Sequence, residues 1–594
     1  MTPLEDYSAR LKGWRSEFES NDRRFRRLGN VRLAVGIGAV IVAALSLGAT
    51  LISAWWLLLP ALVFAGLALF HERVERTRSS AVRAIAYYQH AIARLEGRWA
   101  GMGQTGERFR NPAHLYADDL DVFGKGSLFE LLSTARTSVG ERLLADWLLS
   151  PGTKKEVEER QQAVGELRSR LDLREELALM GDEVRSAIDD RAMADWGTKP
   201  PVRFVAGARW LAPIIALATS AAVVLFFGQV IQATTLLGIF LFEMLFFYAI
   251  RESVLRVAAA VSAPSGELKL LGLALERLEK ESFQTPHLQK LARSLDSHGL
   301  TPSGEIRRLE RLVSQLDAAR NQFFRLITAP LLWVSQFAMA IEAWRNECGP
   351  HIAEWIAAVG EFEALCSLAS FAYEHPDSVF PEFVEEGPLF EAEGIRHPLI
   401  DGTVAVPNDV RLNVKGCSLW VVSGSNMSGK STLLRAVGVN AILAWAGAPV
   451  TCRNLRISPL RIGASIRVND SLADNRSRFY AEITKLREVV DLAKAGQPAL
   501  FLLDELLSGT NSHDRRIGAA AVVRGLVERG AIGFVTTHDL ALADIAASLD
   551  ARAKNVHFDD HIENGQIRFD YQLKPGVVER SNALELMRAV GLDV

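Results

Sequence analysis

The sequence predicts an α/β domain with a mostly parallel sheet over residues 387–594, preceded by helical segments that two membrane-spanning hairpins interrupt. Three observations predict this fold class. A glycine-rich loop follows an apolar run at 419–422, short β-rich runs alternate with helices after residue 387, and long apolar runs cover residues 33–70 and 211–250. A chain of 594 residues has room for several domains.

The glycine-rich loop has the spacing G-x-x-x-x-G-K-[ST] of a phosphate-binding P-loop. Its glycines let backbone N–H groups face phosphates, and the following helix adds the positive end of its dipole. Lys430 is expected to reach the β- and γ-phosphates of ATP or GTP, and Ser431 to ligate Mg²⁺. The alternative is a glycine-rich turn without a ligand. The predicted nucleotide contacts are Gly424, Ser425, Asn426, Met427, Ser428, Gly429, Lys430, Ser431 and Thr432.

A second apolar run, at residues 500–503, ends in two acids. Asp504 is placed to contact Mg²⁺, as the acid at the end of a buried strand does in P-loop enzymes. Glu505 is placed to orient and deprotonate the attacking water. The alternative for the two acids is a helix cap.

Two further residues are candidates for phosphate chemistry. His538 ends a short predicted strand and is expected to sense the γ-phosphate, although a lone histidine is more often a structural hydrogen-bonding residue. Ser477 lies near a predicted helix start, where its hydroxyl and a backbone N–H are available to a phosphate. The alternative for Ser477 is an ordinary helix cap.

Composition restricts the class of partner and site. The formal net charge of −3 gives no overall basic signature of nucleic-acid binding, which leaves a local basic patch open. The cysteines have no C-x-x-C spacing, so a reducing compartment, no zinc site and small core residues are expected. They are Cys348, Cys366, Cys417 and Cys452.

Each long apolar run is about twice the ~20 residues that a helix needs to cross a bilayer. We therefore predict two helical hairpins, hairpin 1 in residues 33–70 and hairpin 2 in residues 211–250, with turns near 48–50 and 228–232. The alternative is that both runs are buried helices of a large soluble core. Hairpin 2 contains one charged residue, Glu243, which marks either a functional site or a side chain that reaches the interface.

Arginines bracket both runs, whereas the predicted turns carry no Lys or Arg. The positive-inside rule then predicts that both termini, the middle segment and the P-loop domain lie on the cytoplasmic side of a bacterial-type inner membrane. The bracketing arginines are Arg23, Arg24, Arg26, Arg27, Arg73, Arg76 and Arg78 for hairpin 1, and Arg203, Arg209, Arg251 and Arg256 for hairpin 2.

The predicted organisation has six segments. Strands are expected at 418–422, 457–464, 499–504, 532–536 and 566–573, and helical breaks at 133–140 and 151–152. The segments are a cytoplasmic lead-in (1–32), hairpin 1 (33–70), a helical segment (71–203), hairpin 2 with its flanks (204–252), a second helical segment (253–386) and the α/β domain (387–594).

Several of these motifs together resemble the MutS family of DNA mismatch-repair ATPases. The P-loop, the segment from Asp504 to Ser512 and the Thr537-His538 pair are similar to its ATPase domain. Residues 470–482 are similar to its signature segment, with Ser477 on the family's serine, and residues 127–164 are similar to its core domain.

The resemblance implies ATP and Mg²⁺ as cofactors, with Lys430 on phosphates, Ser431 and Asp504 on the metal, and Glu505 and His538 in hydrolysis. It also implies a homodimer, because in the family the signature serine acts on the partner's nucleotide. The family's aromatic platform for adenine falls near Ala405, which cannot stack on a base.

Where the family has lever helices and a DNA clamp, this chain has hairpin 2 and further helical segments, and we expect no mismatch-reading or connector domain. Two functions follow as hypotheses. One is a membrane-anchored ATPase switch associated with mismatched or branched DNA; the other is a membrane-tethered switch that acts on a protein or envelope client without DNA. A transporter of the ABC type is a weaker third, because the Leu-Ser-Gly-Gly-Gln signature is absent from the sequence.

Overall fold

The structure of the chain is a computed structural model. It describes every residue except 1, 49–52, 181–189, 262–264, 296–298, 300, 320–327, 329, 426, 468–477, 508, 539, 564–565 and 579–594.

Hairpin 1 is formed by two long helices, α1 (Pro3–Ala43) and α2 (Leu58–Leu95). A capping box between Thr2 and Glu5 satisfies free N–H groups at the start of α1. Both helices continue through the predicted boundaries at 32/33 and 70/71, so these boundaries are changes of composition and not breaks in structure. Part of the predicted turn at 48–50 lies outside the described residues.

Hairpin 2 is formed by α8 (Ala208–Phe227) and α9 (Ala233–Val261). Residues 228–232, the predicted turn, lie between the two helices. The Thr219 hydroxyl donates a 2.6 Å hydrogen bond to the Glu243 carboxyl, and both side chains are buried. The face of α8 that is buried is made mainly of small residues, which let helices approach closely; they are Ala208, Ala212, Ala216, Thr219 and Ala222.

Among the described residues, the remaining helices before the sheets form one helical body. Two loops, 133–137 and 150–153, separate α3 from α4 and α4 from α5, as the sequence predicts. The helices are α3 (Leu128–Leu132), α4 (Ser138–Leu149), α5 (Lys154–Arg168), α6 (Leu171–Leu179), α7 (Asp190–Thr198), α10 (Ser265–Glu279), α11 (Pro286–Leu295), α12 (Pro302–Ala318), α13 (Trp333–Cys348) and α14 (Ile352–Glu374).

Within the described residues, five helical spans are long and apolar enough to cross a membrane by length and composition. Four belong to the hairpins, and at most 28% of the most apolar window of each is buried within the protein. The fifth, Trp333–Glu374, contains α13 and α14, and 83% of its window is buried. This last span is therefore the centre of the helical body.

The described residues of the C-terminal part form two sheets, whereas the sequence predicts one. The larger has the order β10-β9-β4-β8-β7-β6, parallel except for β10, and the smaller has the order β1-β5-β2-β3. The strands are β1 (Glu382–Phe383), β2 (Leu389–Ile395), β3 (Asn408–Asn413), β4 (Leu419–Ser423), β5 (Asn454–Ile457), β6 (Arg461–Ser465), β7 (Ala499–Leu503), β8 (Ile532–Thr537), β9 (Ala553–Glu563) and β10 (Gln566–Pro575).

The predicted single strand at 457–464 is wrong. Pro459 has no N–H to donate to a ladder, and the chain leaves one sheet at Ile457 and enters the other at Arg461. The helices of this region pack on the larger sheet and are α15 (Lys430–Ala446), α16 (Arg478–Lys494), α17 (Ser512–Glu528) and α18 (Leu540–Ser548).

Candidate functional site

Three neighbouring strands end at the same edge of the larger sheet and carry the predicted site. The glycine-rich loop follows β4, Asp504 follows β7, and His538 follows β8, which lies between the other two. Because these strands are parallel, their carboxyl ends meet. Ligands of open α/β sheets bind at such an edge.

The loop between β4 and α15 has a backbone that requires glycine at two positions. Gly424 has φ +150° and Gly429 has φ +106°, and a Cβ on Gly424 would lie 2.7 Å from the Ser428 hydroxyl oxygen. Lys430 is the first residue of α15, and its ammonium donates to the carbonyl oxygens of Gly424 (2.7 Å) and Ser425 (2.8 Å). Burial lowers the pKa of Lys430, while the negative charges of Glu505 and Asp504 oppose that shift.

Ser431 and Asp504 form the pair predicted to hold a metal. The Ser431 hydroxyl lies 2.6 Å from Asp504 Oδ2, and the Thr536 hydroxyl donates to Asp504 Oδ1. A hydroxyl and one carboxylate are the oxygen donors that Mg²⁺ takes from a P-loop protein, because water and phosphates supply its other ligands. The arrangement fits Mg²⁺. Elsewhere in the described chain, no group of three or more His, Cys, Asp or Glu side chains is placed to hold a metal.

Glu505 and His538 lie side by side at the open end of the site. Glu505 has φ +47°, a left-handed conformation that is uncommon for a residue with a β-carbon and that recurs where backbone strain serves a site. Its N–H donates to the Thr536 hydroxyl over 3.1 Å. His538 Nδ1 lies 3.6 Å from Glu505 Oε1, which is ion-pair range and longer than a hydrogen bond.

The other predicted contacts surround the loop. Ser428 is buried, Ser425, Met427 and Thr432 are exposed, and Met427 retains 85% of its accessible surface. Asn426 and Ser477 lie outside the described residues, so the predicted role of Ser477 stays a prediction.

Thr536 contributes to the site but was missed from the sequence. Its side chain bridges Asp504 and Glu505 and is fully buried. The signal in the sequence was the pair Thr536-Thr537, which ends the predicted strand before His538. That Thr536 reaches Asp504 depends on β8 lying beside β7.

Tyr571 is a second missed residue. It lies on β10 beside the loop, and a Cβ on Gly429 would be 3.3 Å from Tyr571 Cδ1. Its backbone has φ +53° in an irregular stretch of the strand, and its carbonyl accepts a 3.0 Å hydrogen bond from Asn408. An aromatic ring therefore stands next to the loop even though Ala405 cannot provide one.

Asp119 lies in the loop before α3 and ties the helical body to the end of β6. Its fully buried carboxylate accepts hydrogen bonds of 2.7 Å from the N–H groups of both Ile466 and Arg467, and it pairs with the Lys485 ammonium of α16. These residues flank the segment that contains Ser477. The helical body is thus bonded to the chain on both sides of the predicted signature segment.

The sheet order, the loop and the acidic strand end define a domain of the P-loop class. Comparison with protein families gives two matches: the model of MutS domain III at residues 114–372 and that of MutS domain V at residues 420–593. Together they span most of the chain, which belongs to the MutS family.

Similar curated proteins carry the name DNA mismatch repair protein MutS. The protein of Myxococcus xanthus is 30% identical over 525 residues, which are 79% of this chain and 56% of the relative. That of Natronomonas pharaonis is 34% identical over 245 residues (41% and 28%), and that of Methanosarcina mazei is 32% identical over 241 residues (39% and 26%). The chain thus spans between about a quarter and just over half of the length of these relatives.

Proposed function

We propose that this protein is a membrane-anchored MutS-family ATPase in which ATP binding closes a homodimer and hydrolysis resets it. The observation that carries the proposal is the pairing of Ser431 with Asp504 beside Lys430, at the ends of two strands separated by β8. The family to which the chain belongs supports the same chemistry.

In this proposal the loop amides and Lys430 hold the phosphates. Lys430 has three N–H donors, of which two bind loop carbonyls in the present arrangement and turn to phosphate oxygens when a nucleotide is present. Ser431 and Asp504 hold Mg²⁺, which neutralises charge on the phosphates.

Three further residues act around the phosphates. Glu505 takes the proton of the attacking water, and the Thr536 bridge fixes its backbone. His538 responds to the γ-phosphate. Tyr571 stacks on the base, in place of the missing aromatic residue at position 405.

The homodimer rests on Ser477. We propose that Ser477 of one protomer acts on the nucleotide of its partner, as the family resemblance implies. The hydrogen bonds that the N–H groups of Ile466 and Arg467 donate to Asp119 supply a rigid link through which closure of this segment moves the helical body.

Membrane anchoring is proposed from the four exposed apolar spans and the arginines at their ends. The inner membrane then holds the two hairpins, while the ATPase and both termini lie in the cytoplasm.

The proposed client is mismatched or branched DNA, as the family resemblance implies; the relatives' names, which refer to DNA mismatch repair, support DNA as the client. A protein or envelope client is the second candidate, because hairpin 2 is inserted within the region that matches MutS domain III, at residues 208–261. Titration of the purified full chain in detergent with branched, mismatched and plain duplex DNA separates the two. Binding that weakens with salt and responds to ATP supports the DNA client; no binding at low salt supports the other.

The ATPase itself is tested by three substitutions in the full chain. Glu505→Gln is expected to keep ATP binding and to lose turnover by about 10²- to 10⁴-fold, since it removes the base. Lys430→Ala is expected to lose both. Glu528→Gln, an exposed acid at the end of α17, is the matched control and keeps wild-type turnover. Unchanged turnover in Glu505→Gln would remove Glu505 as the base.

The shared site is tested by complementation. Ser477→Ala protomers are expected to hydrolyse ATP poorly and to regain part of the activity when mixed with Lys430→Ala protomers, because one mixed site then contains both an intact Lys430 and an intact Ser477. Absence of any rescue across mixing ratios contradicts a composite site.

A further inference from the structure

A groove runs between α1 and α2 along hairpin 1, and we refer to it as the hairpin groove. It has a volume of about 710 Å³ and extends on α1 from Phe25 to Ile41, which is about 24 Å at the rise of a helix. His71 lines the groove beside Phe25, Arg32 lines it beside Phe64, and Gly36 and Val40 are among the residues that line the rest. The groove therefore joins a cationic section to an apolar channel.

Two side-chain nitrogen atoms along the groove lack a hydrogen-bond partner within the described part of the chain. The Arg32 guanidinium lies 5.0 Å from the centre of the Phe64 ring, and the rings of His71 and Phe25 are 4.3 Å apart. Arg32 Nε and His71 Nδ1 are buried and have no hydrogen-bond partner among the described residues. Phosphate oxygens are among the acceptors that an arginine N–H binds most strongly.

The surrounding charge is positive and is not neutralised within the hairpin. The nearby acids Asp22, Glu72 and Glu75 are already paired, with Arg26, Arg76 and Arg78. Within the described part of the chain, no acid lies in ion-pair range of the other arginines at this level, which are Arg23, Arg24, Arg27, Arg32 and Arg73.

The apolar end is open along its length. Ile37 and Val40 are exposed, and a Cβ built on Gly29 or Gly36 would meet no atom within 4 Å. An acyl chain fits such a channel, whereas a free phosphate ion leaves it empty.

We propose that the hairpin groove binds one anionic phospholipid, with its phosphate on Arg32 and an acyl chain along Gly36 and Val40. The inference rests on the proposed membrane anchoring and deepens it. Hairpin 1 then binds anionic phospholipids of the surrounding membrane in preference to zwitterionic ones.

The test is retention of lipid by the full chain. Protein is reconstituted in vesicles of mixed phosphatidylglycerol and phosphatidylcholine, extracted in mild detergent and weighed by native mass spectrometry. Wild type is expected to keep phosphatidylglycerol over phosphatidylcholine by about tenfold or more, because both headgroups carry the phosphate but phosphatidylcholine adds a quaternary ammonium, which the Arg32 guanidinium repels.

Two pairs of variants separate the groove from general charge and bulk. Arg32→Gln removes the phosphate contact, and its matched control is Arg24→Gln, an exposed arginine outside the groove. Gly36→Leu fills the channel without changing charge, and its matched control is Gly38→Leu, which lies outside the groove and also has open space at Cβ. We expect Arg32→Gln and Gly36→Leu to lose the preference and the controls to keep it.

Equal retention of both lipids by wild type, or equal loss in variants and controls, would overturn the site. A change in oligomeric state in Gly36→Leu with no loss of lipid would instead make the groove a contact between copies of the chain, and this also overturns the proposal. Vesicle flotation distinguishes failure of this proposal from failure of membrane anchoring. If the protein floats with vesicles of either lipid but retains neither lipid preferentially, only the lipid site in the hairpin groove is contradicted. If the protein does not float, membrane anchoring is contradicted.

Discussion

The apolar helices of this protein occupy two opposite environments. The most apolar window of Trp333–Glu374 has a mean hydropathy of 1.3 and is 83% buried among other helices. The windows of the hairpin helices have values of 1.6–2.2, and 0% to 28% of each is buried. Mean hydropathy differs by less than one unit between the two groups, whereas the buried fraction differs several-fold. Hydropathy alone therefore does not distinguish a helix that packs inside the protein from one whose apolar surface stays exposed.

The comparison extends to charge. Helix α14 carries buried acids that are bonded to groups from other parts of the chain. Glu363 accepts hydrogen bonds from the backbone N–H groups of Arg136 and Thr137, and Glu374 pairs with Arg94. Burial raises the pKa of Glu363, and these hydrogen bonds oppose that shift. In hairpin 2, Glu243 has Thr219 as its partner. The buried helix bonds each of these carboxylates to several groups, whereas the exposed helices of hairpin 2 carry few charges.

The largest effect is expected where hairpin 1 meets α14. Arg94 lies at the end of α2 and donates a 2.7 Å hydrogen bond to Glu374, to which Tyr7 of α1 also donates (3.2 Å). Arg94→Met leaves a buried carboxylate without its cation and is expected to cost about 3–5 kcal/mol of unfolding free energy. The control Arg98→Met breaks an exposed pair with Glu96 and should cost at most about 1 kcal/mol. If both variants lower Tm equally in detergent, the Arg94–Glu374 contact does not contribute more to stability than the exposed pair.

Truncation of matched leucines tests the contrast itself. Leu365 in α14 is fully buried and Leu217 in α8 is 72% exposed. Leu365→Ala is expected to cost about 2–5 kcal/mol through lost burial and a cavity, whereas Leu217→Ala should stay within about 0.5 kcal/mol in detergent. Thermal unfolding of the two variants compares them directly; a large cost at Leu217 would mean that hairpin 2 is packed in a core.

A smaller effect is expected inside hairpin 2. Thr219→Val removes the hydroxyl that donates to Glu243 and is expected to cost about 0.6–1.7 kcal/mol, the range of single hydrogen bonds between membrane helices. Ser220→Ala is the control, because the Ser220 hydroxyl bonds to its own helix at Ala216. If thermal unfolding in detergent shows no difference between the two variants, the Thr219–Glu243 hydrogen bond does not contribute to stability.

The smallest effect is a pH dependence of the helical body. His287 of α11 lies 2.8 Å from Glu361 of α14, and that hydrogen bond raises the pKa of His287. Because the pKa of His287 is higher in the folded than in the unfolded chain, its protonation stabilises the fold at pH values below the ordinary pKa of about 6.5. This contribution disappears as the pH rises through the raised pKa. Wild type should therefore lose more Tm than His287→Gln between about pH 6 and about pH 8, while the exposed control His513→Gln follows wild type. A His287→Gln profile parallel to wild type would contradict this linkage.

The sequence predicted the features that are local in the chain. The strands at β4, β7 and β8, the breaks beside α4 and the turn at 228–232 follow from apolar runs and turn residues. The features that were missed depend on strand order or on distant contacts. Thr536 reaches Asp504 because β8 lies beside β7, Tyr571 reaches the loop because β10 folds back on β9, and Asp119 bonds to Ile466 across 347 residues of sequence.

The most direct test of the account is ATP turnover by chain that has floated with lipid. Full-length protein and its Lys430→Ala variant are reconstituted in vesicles and centrifuged on a density gradient, and hydrolysis is measured in the floated and the pelleted fractions. We predict that both proteins float and that turnover is found in the floated wild type alone. Wild type that stays in solution without detergent, or turnover that survives Lys430→Ala, would contradict a P-loop ATPase anchored in a membrane.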